Sequence, residues 1–226
     1  DLSSLKQVRE LAGNVKNAVK QAGRSSIDVL VNNAGTVSSW YISTPEGYEL
    51  QFAVNHLAPF LLTYELMPLL KASPDARVIT VSSGSHYRTK INWDDILLRR
   101  RYSCLKAYKQ SKLANVLFTY ELNRRLGPDS NIRAFAVDPG LVNTEIGFKG
   151  TSGIVRWVWE KRSSGGVTPE SGASTSIFLA SEPSIQRSEY SYWKDSQPRK
   201  PSRYSLREDA ALRLWELSEK MCGVNL

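Results

Sequence analysis

The chain has 226 residues, of which 41% are hydrophobic and 23% are charged, and its formal net charge is +8 at pH 7. At about 150 residues per domain this length allows one large domain or two small ones, and the composition excludes the disordered and collagen-like classes of protein. The positive charge is compatible with nucleic acid, anionic lipid or a phosphorylated cofactor as a partner, and by itself it does not choose among them.

The sequence carries no recognisable membrane span or secretory signal. A membrane-spanning helix needs about 18 uninterrupted apolar residues, and the richest stretch, 57–70, is broken by Glu65 and two prolines. The chain begins at Asp1 with no basic segment leading into an apolar one, which we interpret as a fragment or a processed product. Cys104 and Cys222 lack the spacing of a zinc site or a disulfide framework, which favours reduced structural thiols and an intracellular setting.

Three short apolar runs predict buried strands, at 27–31, 77–81 and 132–137. Each run ends in a turn rich in polar residues and glycine, at 32–35, 82–84 and 138–140. Between them, apolar residues at helical spacing predict two long helices. The first follows Thr44, a predicted N-cap, and Pro45; the second runs from about Leu105 to Leu126, where Gly127 and Pro128 predict its end.

Strands that alternate with helices of this length predict a doubly wound α/β sheet of parallel strands. We find no internal repeat, so residues 1–226 are interpreted as a single domain. Ligands of such sheets bind at the carboxyl ends of the strands, which is where the three polar turns lie. The functional site is therefore expected at these turns.

Tyr108 and Lys112 lie four residues apart, so a helix would place both on one face. The pKa of an isolated phenol is about 10, and a nearby ammonium group lowers it by favouring the phenolate. Such a pair can carry out acid and base chemistry near neutrality. Taken alone the pattern is weak, because tyrosine and lysine also meet at this spacing on surface helices by chance.

Three further polar residues stand out, each with a structural alternative. Ser83, at a strand end, would hydrogen-bond a substrate oxygen as charge develops on it, or would simply form the turn. Asn55 lies in an apolar helix, where a buried amide without partners costs about 1 to 3 kcal/mol, so a satisfied structural amide is the alternative to a functional one. His86, beside Ser83, is interpreted as structural, since a functional Tyr108 would already supply the base.

Together these residues resemble the short-chain dehydrogenase/reductase family, whose motifs they follow in order along most of the chain. The matching motifs are Asn32-Asn33-Ala34-Gly35, Asn55, Val81-Ser82-Ser83, Tyr108-x-x-x-Lys112 and the run from Asp138-Pro139-Gly140 to Thr144. The run Ser-Lys-Leu-Ala-Asn-Val-Leu-Phe from Ser111, the long spacing between Ser83 and Tyr108, and the ending Leu214-Trp215-Glu216-Leu217-Ser218 are similar to the retinol-dehydrogenase-like branch.

The resemblance implies hydride transfer between a nicotinamide cofactor, NADP or NAD, and an alcohol or carbonyl. Tyr108 would be the general acid/base, Ser83 would steady the substrate oxygen, and Asn55 would position a water in a proton relay. Lys112 would lower the pKa of the phenol and hold the nicotinamide ribose. The residues that the resemblance places against the cofactor are Asp1, Asn32, Ala34, Gly35, Tyr108, Lys112, Val142 and Thr144.

Residues 145–168 correspond to the substrate lid of the family. Apolar residues that include Trp157 and Trp159 lie there among basic ones, which favours a lipophilic substrate of retinoid, isoprenoid or steroid type. Packing of these aromatic side chains against their own core is the alternative.

The family's glycine-rich turn, Thr-Gly-x-x-x-Gly-x-Gly, which receives the cofactor pyrophosphate, has no counterpart in this sequence. In the sheet order that the resemblance implies, 3-2-1-4-5-6-7, the chain would lack strands 1 to 3 and begin at strand 4. Run 27–31 would then be an exposed apolar edge. We therefore expect the 226 residues alone to fold poorly and to bind NAD(P) negligibly.

Two functions remain open at this stage. The parent protein would be an NAD(P)-dependent oxidoreductase, or the chain would be a catalytically silent interaction module; retention of the four catalytic positions favours the first. Nucleic acid is not expected as a partner, because no interleaved stacking aromatics accompany Arg99–Arg101. Membrane association through a segment before Asp1 or through the basic face at 88–112 stays open, as does the oligomeric state.

Overall fold

A computed structural model describes residues 1–142, 166–185 and 188–225. Thr144 and residues 145–165 of the predicted lid segment lie outside this description. Within the described residues no helix combines the length and the apolar character needed to cross a bilayer.

One sheet of five strands organises the described residues, in the order β1-β2-β3-β4-β5. The strands are β1 (Val29–Asn32), β2 (Ala76–Val81), β3 (Ile132–Asp138), β4 (Tyr192–Lys194) and β5 (Gln197–Pro198). Strands β1 to β4 are parallel, and β5 pairs antiparallel with β4. The first three match the sequence prediction within two residues, whereas the last two were missed, because runs of three and two residues are too short to display an alternating pattern.

Among the described residues, five longer helices cover the sheet: α1 (Leu5–Gln21), α2 (Ala58–Lys71), α3 (Cys104–Leu126), α4 (Pro169–Ser181) and α5 (Glu208–Cys222). Val78 and Ala134 face a core shared with α1, α2, α3 and α5. Their neighbours Ile79 and Phe135 face the opposite side, where Leu179 of α4 packs against them. Helices on both faces of a parallel sheet confirm the predicted doubly wound α/β fold. The parallel order from β1 onward is the one predicted for this fold without its strands 1 to 3.

The helix predicted after Thr44 begins later than expected. Its N-cap is Glu49, whose carboxylate accepts hydrogen bonds from the backbone N–H groups of Gln51 (2.9 Å) and Phe52 (2.8 Å). The prediction that Thr44 is the N-cap is wrong, because its hydroxyl accepts instead from the Tyr48 N–H within a turn. A single helical turn, Leu50–Phe52, then leads into a π-helical turn, Ala53–Leu57, before α2 starts.

Helix α3 ends where the sequence predicted. Gly127 is its C-cap with φ +79°, a left-handed conformation that strongly favours glycine. Most of the helix is buried between the sheet and α5. The two cysteines are free and buried, and burial raises the pKa of Cys104 to about 11 and that of Cys222 to about 12. Their burial agrees with the structural role predicted for both thiols.

Candidate active site

A cleft of about 790 Å³ opens at the carboxyl ends of the central strands. It lies beyond β1, β2 and β3, and residues of α3 and α4 complete its walls. The structure brings six of the predicted site residues to this one cavity, namely Ala34, Gly35, Ser83, Tyr108, Lys112 and Val142. Parallel strands with matched register produce this convergence, because Thr80 pairs with Asn32 on one side and with Ala136 on the other.

Tyr108 and Lys112 share one face of α3, as their spacing predicted. The Nζ of Lys112 lies 5.7 Å from the centroid of the Tyr108 ring. Lys112 is only 3% exposed, and its ammonium donates a hydrogen bond of 3.0 Å to the carbonyl of Val81. Burial lowers the pKa of Lys112 from 10.5 to about 8. The cleft wall therefore holds a cation that titrates close to neutrality beside the phenol.

Asn115 is a site residue that sequence reasoning missed. It lies one helical turn after Lys112, and its Nδ2 donates to the same Val81 carbonyl at 3.1 Å. Asn115 is 1% exposed. The signal was present in the run Ser-Lys-Leu-Ala-Asn, but its meaning depends on the end of β2 lying against α3. This amide fixes the carbonyl that receives the ammonium.

Ser83 follows β2 and caps a short 3₁₀ turn, Gly84–His86. Its Oγ accepts from the Ser85 N–H at 3.1 Å. A hydroxyl donates as well as accepts, so this bond leaves the proton of Ser83 for an oxygen in the cleft.

His86 lies behind Ser83 and has a structural role. Its Nε2 accepts from the Ser202 N–H at 3.0 Å, so the proton lies on Nδ1, which contacts the carbonyl oxygen of Ser83 at 2.8 Å. Burial lowers the pKa of the imidazole, which keeps it neutral near pH 7. The histidine fastens the Ser83 backbone to the segment around Ser202, as the sequence interpretation expected.

Asn55 holds the turn that follows β1. Its Oδ1 accepts from the Thr36 N–H at 2.7 Å, and its Nδ2 donates to the Thr36 carbonyl and to the Ser111 hydroxyl, both at 3.0 Å. Both atoms of the amide are thus bonded to protein, and the side chain is fully buried. Asn55 lies in the π-helical turn, a rare element that often marks functional sites. Asn55 thus has the geometry of a satisfied structural amide, which was the alternative to a functional role in the sequence analysis.

Two predicted cofactor residues lie away from the cleft wall. The Asn32 side chain is buried and donates to the Thr63 hydroxyl at 3.1 Å, and its neighbour Asn33 lines the cleft instead. The Asp1 carboxylate accepts from the N–H and hydroxyl of Ser3, which ties it to the chain start before α1. The repeated asparagine in the motif could not indicate which of the two faces inward.

The far wall of the cleft is close-packed and apolar. Gly140 has φ +76°, and Val142 forms a parallel bridge with Val167 just before α4. A Cβ on Gly172 would collide with the Val142 side chain, so glycine allows α4 to approach this wall. Leu141 (41% exposed) and Ile177 (61% exposed) add accessible apolar surface to the wall.

Comparison with known proteins identifies the family. Residues 1–152 match the sequence profile described as short chain dehydrogenase. The chain belongs to the short-chain dehydrogenase family. Retinol dehydrogenase 14 of Homo sapiens is 38% identical over 232 residues, which cover 99% of this chain and 66% of that protein. The chain therefore spans about two thirds of the length of this relative, and the predicted resemblance to the retinol-dehydrogenase-like branch is confirmed.

Solved structures of the short-chain dehydrogenase fold agree with this assignment. A crystal structure of a protein from Mycobacterium Paratuberculosis is 35% identical, covers 100% of this chain and 74% of that chain, and superposes with a TM-score of 0.73. An angucycline C-6 ketoreductase with bound NADP is 26% identical, covers 81% of this chain and 67% of that chain, and has a TM-score of 0.60. All predicted site residues fall within the part that matches the family profile.

Proposed function

We propose that the protein is an NAD(P)-dependent oxidoreductase that interconverts an alcohol and a carbonyl, with Tyr108 as the acid/base. One observation carries the proposal. The Tyr108 phenol and the buried Lys112 ammonium line the same strand-end cleft as Ser83. A proton donor, a cation that tunes it and a hydroxyl that steadies an oxygen are the groups that this chemistry requires.

The residues of the cleft fit the nicotinamide end of such a cofactor. A volume of about 790 Å³ lies within the usual range of ligand pockets, about 300 to 1,000 Å³. The position at the carboxyl ends of parallel strands is where doubly wound sheets bind nucleotides. Ala34, Gly35 and Val142 would hold the cofactor together with Lys112, and the NADP of the related ketoreductase supports NADP as the first choice. When bound, the cofactor would supply or accept the hydride.

In the reducing direction, Tyr108 donates its proton to the carbonyl oxygen while the Ser83 hydroxyl hydrogen-bonds the same oxygen. Lys112 assists because an ammonium favours the phenolate that remains, and each unit by which the phenol pKa falls corresponds to about 1.4 kcal/mol. When the cofactor binds, the ammonium would give up its hydrogen bond to the Val81 carbonyl and donate to a ribose hydroxyl instead. Both acceptors are neutral. The reverse direction uses the same groups, with the phenolate taking the proton of the alcohol.

Asn55 takes a supporting role in this proposal. Its amide clamps Thr36, which lines the cleft next to Gly35, and it contacts α3 through Ser111. A water in the proton relay would then be held by backbone groups near Asn55 and by Lys112 rather than by the Asn55 side chain. Asp1 and Asn32 would act through the segments they stabilise.

The substrate class is a lipophilic carbonyl or alcohol of retinoid, isoprenoid or steroid type. The apolar surface of Leu141, Val142 and Ile177 at the cleft supports it, as does the name of the human relative. Residues 145–168 would complete the site as a lid. The two buried free thiols support an intracellular setting, where thiols stay reduced.

The decisive experiment compares wild type with Tyr108→Phe in the full-length protein, with NADPH and a panel of lipophilic carbonyls. We expect the variant to lose turnover and to retain NADPH binding. Tyr102→Phe is the matched control, because Tyr102 is also partly buried but its hydroxyl donates to the Ser38 carbonyl. Turnover by Tyr108→Phe would overturn the assignment, and a folded wild type that is inactive on every carbonyl would favour the silent interaction module.

A further inference from the structure

A second cleft, of about 650 Å³, lies beside the start of α3 and is formed by the segment from 88 to 110. Its wall carries six basic side chains and two acidic ones. The basic residues are Arg88, Lys90, Arg100, Arg101, Lys106 and Lys109, and the acidic ones are Asp94 and Asp95. We call it the basic cleft. It lies next to the proposed active site without coinciding with it, since Tyr108 lines one cavity and Lys109 lines the other.

Carboxylates neutralise the cations of the basic cleft only in part, because two acidic side chains face six basic ones and the charge of Arg100 helps to lower the pKa of Asp95. Within the described part of the chain, none of the six basic side chains forms an ion pair. Asp95 is engaged elsewhere, because its carboxylate oxygens accept from the backbone N–H groups of Arg99 and Arg100, each at 2.9 Å. Those bonds lower the pKa of Asp95 and keep it ionised as a cap of the loop. Within the described residues, the wall of the cleft thus keeps an excess of positive charge.

The frame that carries these cations is held in place. Gln110 is 4% exposed; its Oε1 accepts from the Asn92 N–H at 2.9 Å, and its Nε2 donates to the Ile96 carbonyl at 2.7 Å. This single side chain fastens the loop to α3 at two points. Ile91 and Leu98 are buried beneath the loop, 5% and 4% exposed. The backbone positions of the cations are therefore a property of the fold, which reduces the ordering needed when a ligand enters.

The chemistry of the wall selects among anionic ligands. It contains no aromatic side chain, so the stacking surface on which single-stranded nucleic acids depend is not provided. Three of the six cations are arginines, whose planar guanidinium groups bind phosphate oxygens in pairs. A concave site suits a discrete ligand that brings several charges into one volume, whereas a membrane surface would need a flat or convex face.

We propose that the basic cleft binds a small molecule bearing clustered phosphate groups. Two or more phosphates would be needed to engage cations from both the loop and α3, such as Arg100 and Lys109. The proposal does not depend on the oxidoreductase activity, because no residue of the proposed catalytic group lines this cavity.

Inorganic tripolyphosphate is the probe, and its binding to the full-length protein is measured by titration calorimetry. We expect Arg100→Gln/Arg101→Gln to weaken binding roughly tenfold or more, equivalent to about 1.4 kcal/mol. The backbone caps on Asp95 survive this change, since they use N–H groups. Lys20→Gln/Lys71→Gln removes the same charge from two exposed helix ends outside the cleft, and it should leave binding within a factor of about two.

Lys106→Gln/Lys109→Gln is the second variant, and it should weaken binding by a similar factor from the opposite wall. Equal losses in the cleft variants and in the Lys20 and Lys71 control would overturn the proposal, because they would indicate attraction by net charge alone. Absence of tripolyphosphate binding would also overturn it. Binding to phosphatidylserine vesicles without binding to tripolyphosphate would do the same and would assign the face to a membrane surface.

Discussion

Lys112 Nζ and Asn115 Nδ2 donate to the same oxygen, the carbonyl of Val81, at 3.0 Å and 3.1 Å. The carbonyl is at the last residue of β2, and both donors belong to α3. The two bonds join the strand end to the helix at the point where the proposed chemistry takes place. Lys112 is buried at this junction, and this burial is the cause of its lowered pKa.

The lowered pKa of Lys112 predicts a stability change at alkaline pH. The pKa is about 8 in the folded protein and 10.5 in the unfolded reference, so the unfolded chain binds more protons between these values. The free energy of unfolding should therefore rise with pH across this window, by up to about 3 kcal/mol from this group. Denaturant titrations of wild type and Lys112→Met from pH 7 to pH 10.5 measure the difference. Lys106→Met, on the exposed side of α3, should retain the wild-type change of the free energy of unfolding with pH. The prediction is wrong if Lys112→Met retains that pH dependence as well.

Ser83→Ala should reduce kcat by about 100-fold to 1000-fold, the usual loss when one donor to a developing oxyanion is removed. KM for the carbonyl should change much less, because the bond strengthens mainly in the transition state. Ser85→Ala is the matched control, since only the backbone N–H of Ser85 contacts Ser83. Steady-state kinetics with NADPH decide the matter. A similar loss of kcat in both variants would mean that Ser83 only stabilises the turn.

Asn55→Ala should release the turn after β1. Thr36 loses a hydrogen bond of 2.7 Å from its N–H, and the Thr36 carbonyl and the buried Ser111 hydroxyl lose the Asn55 amide as a donor. We expect a loss of about 1 to 3 kcal/mol in stability and faster hydrogen exchange at the Thr36 amide. Exchange followed by NMR distinguishes this local opening from a global loss. Asn17→Ala, at an exposed site on α1, should leave the hydrogen exchange of the Thr36 amide unchanged. Unchanged exchange in Asn55→Ala would show that Asn55 does not hold the turn.

His56 predicts acid sensitivity. It is buried in the π-helical turn, its Nε2 contacts the Ser218 hydroxyl at 2.8 Å, and burial lowers its pKa from 6.5 to about 4. Between these values the unfolded chain binds more protons, so stability should fall as pH drops from 6.5 to 4, by up to about 3 kcal/mol. Unfolding curves of wild type and His56→Phe should converge or cross as pH decreases. His86 is present in both proteins, so its contribution to the pH dependence cancels in the comparison. A difference in stability between the two proteins that stays constant with pH would contradict the prediction.

Much of the site was accessible from sequence because its motifs sit at strand ends. The turns at 32–35, 82–84 and 138–140 follow apolar runs, and parallel strands must bring such turns to one edge of the sheet. The Tyr108 and Lys112 pair depends only on helical spacing, which is a local property. The end of α3 at Gly127 was equally local, since a left-handed C-cap favours glycine strongly.

The sequence did not decide positions where a side chain had a choice of partner. Thr44 and Glu49 could each cap the following helix, and Glu49 does so with two backbone bonds. Asn32 and Asn33 are adjacent, and only the packing of Asn32 against Thr63 decides which one faces the cleft. Asn55 and Asn115 have partners that lie far away along the chain, at Thr36 and Val81.

The sequence by itself therefore determined the family, the α/β architecture and the identity of the groups that carry the proposed chemistry. These follow from local periodicity and from motifs whose order is preserved along the chain. Only the tertiary structure decided how the groups are held: the shared Val81 carbonyl, the clamp of Asn55 on Thr36 and the neutral His86 behind Ser83. The physical reason is that burial and hydrogen-bond partners depend on contacts between distant segments, and these contacts set both the pKa of Lys112 and the arrangement of cations in the basic cleft.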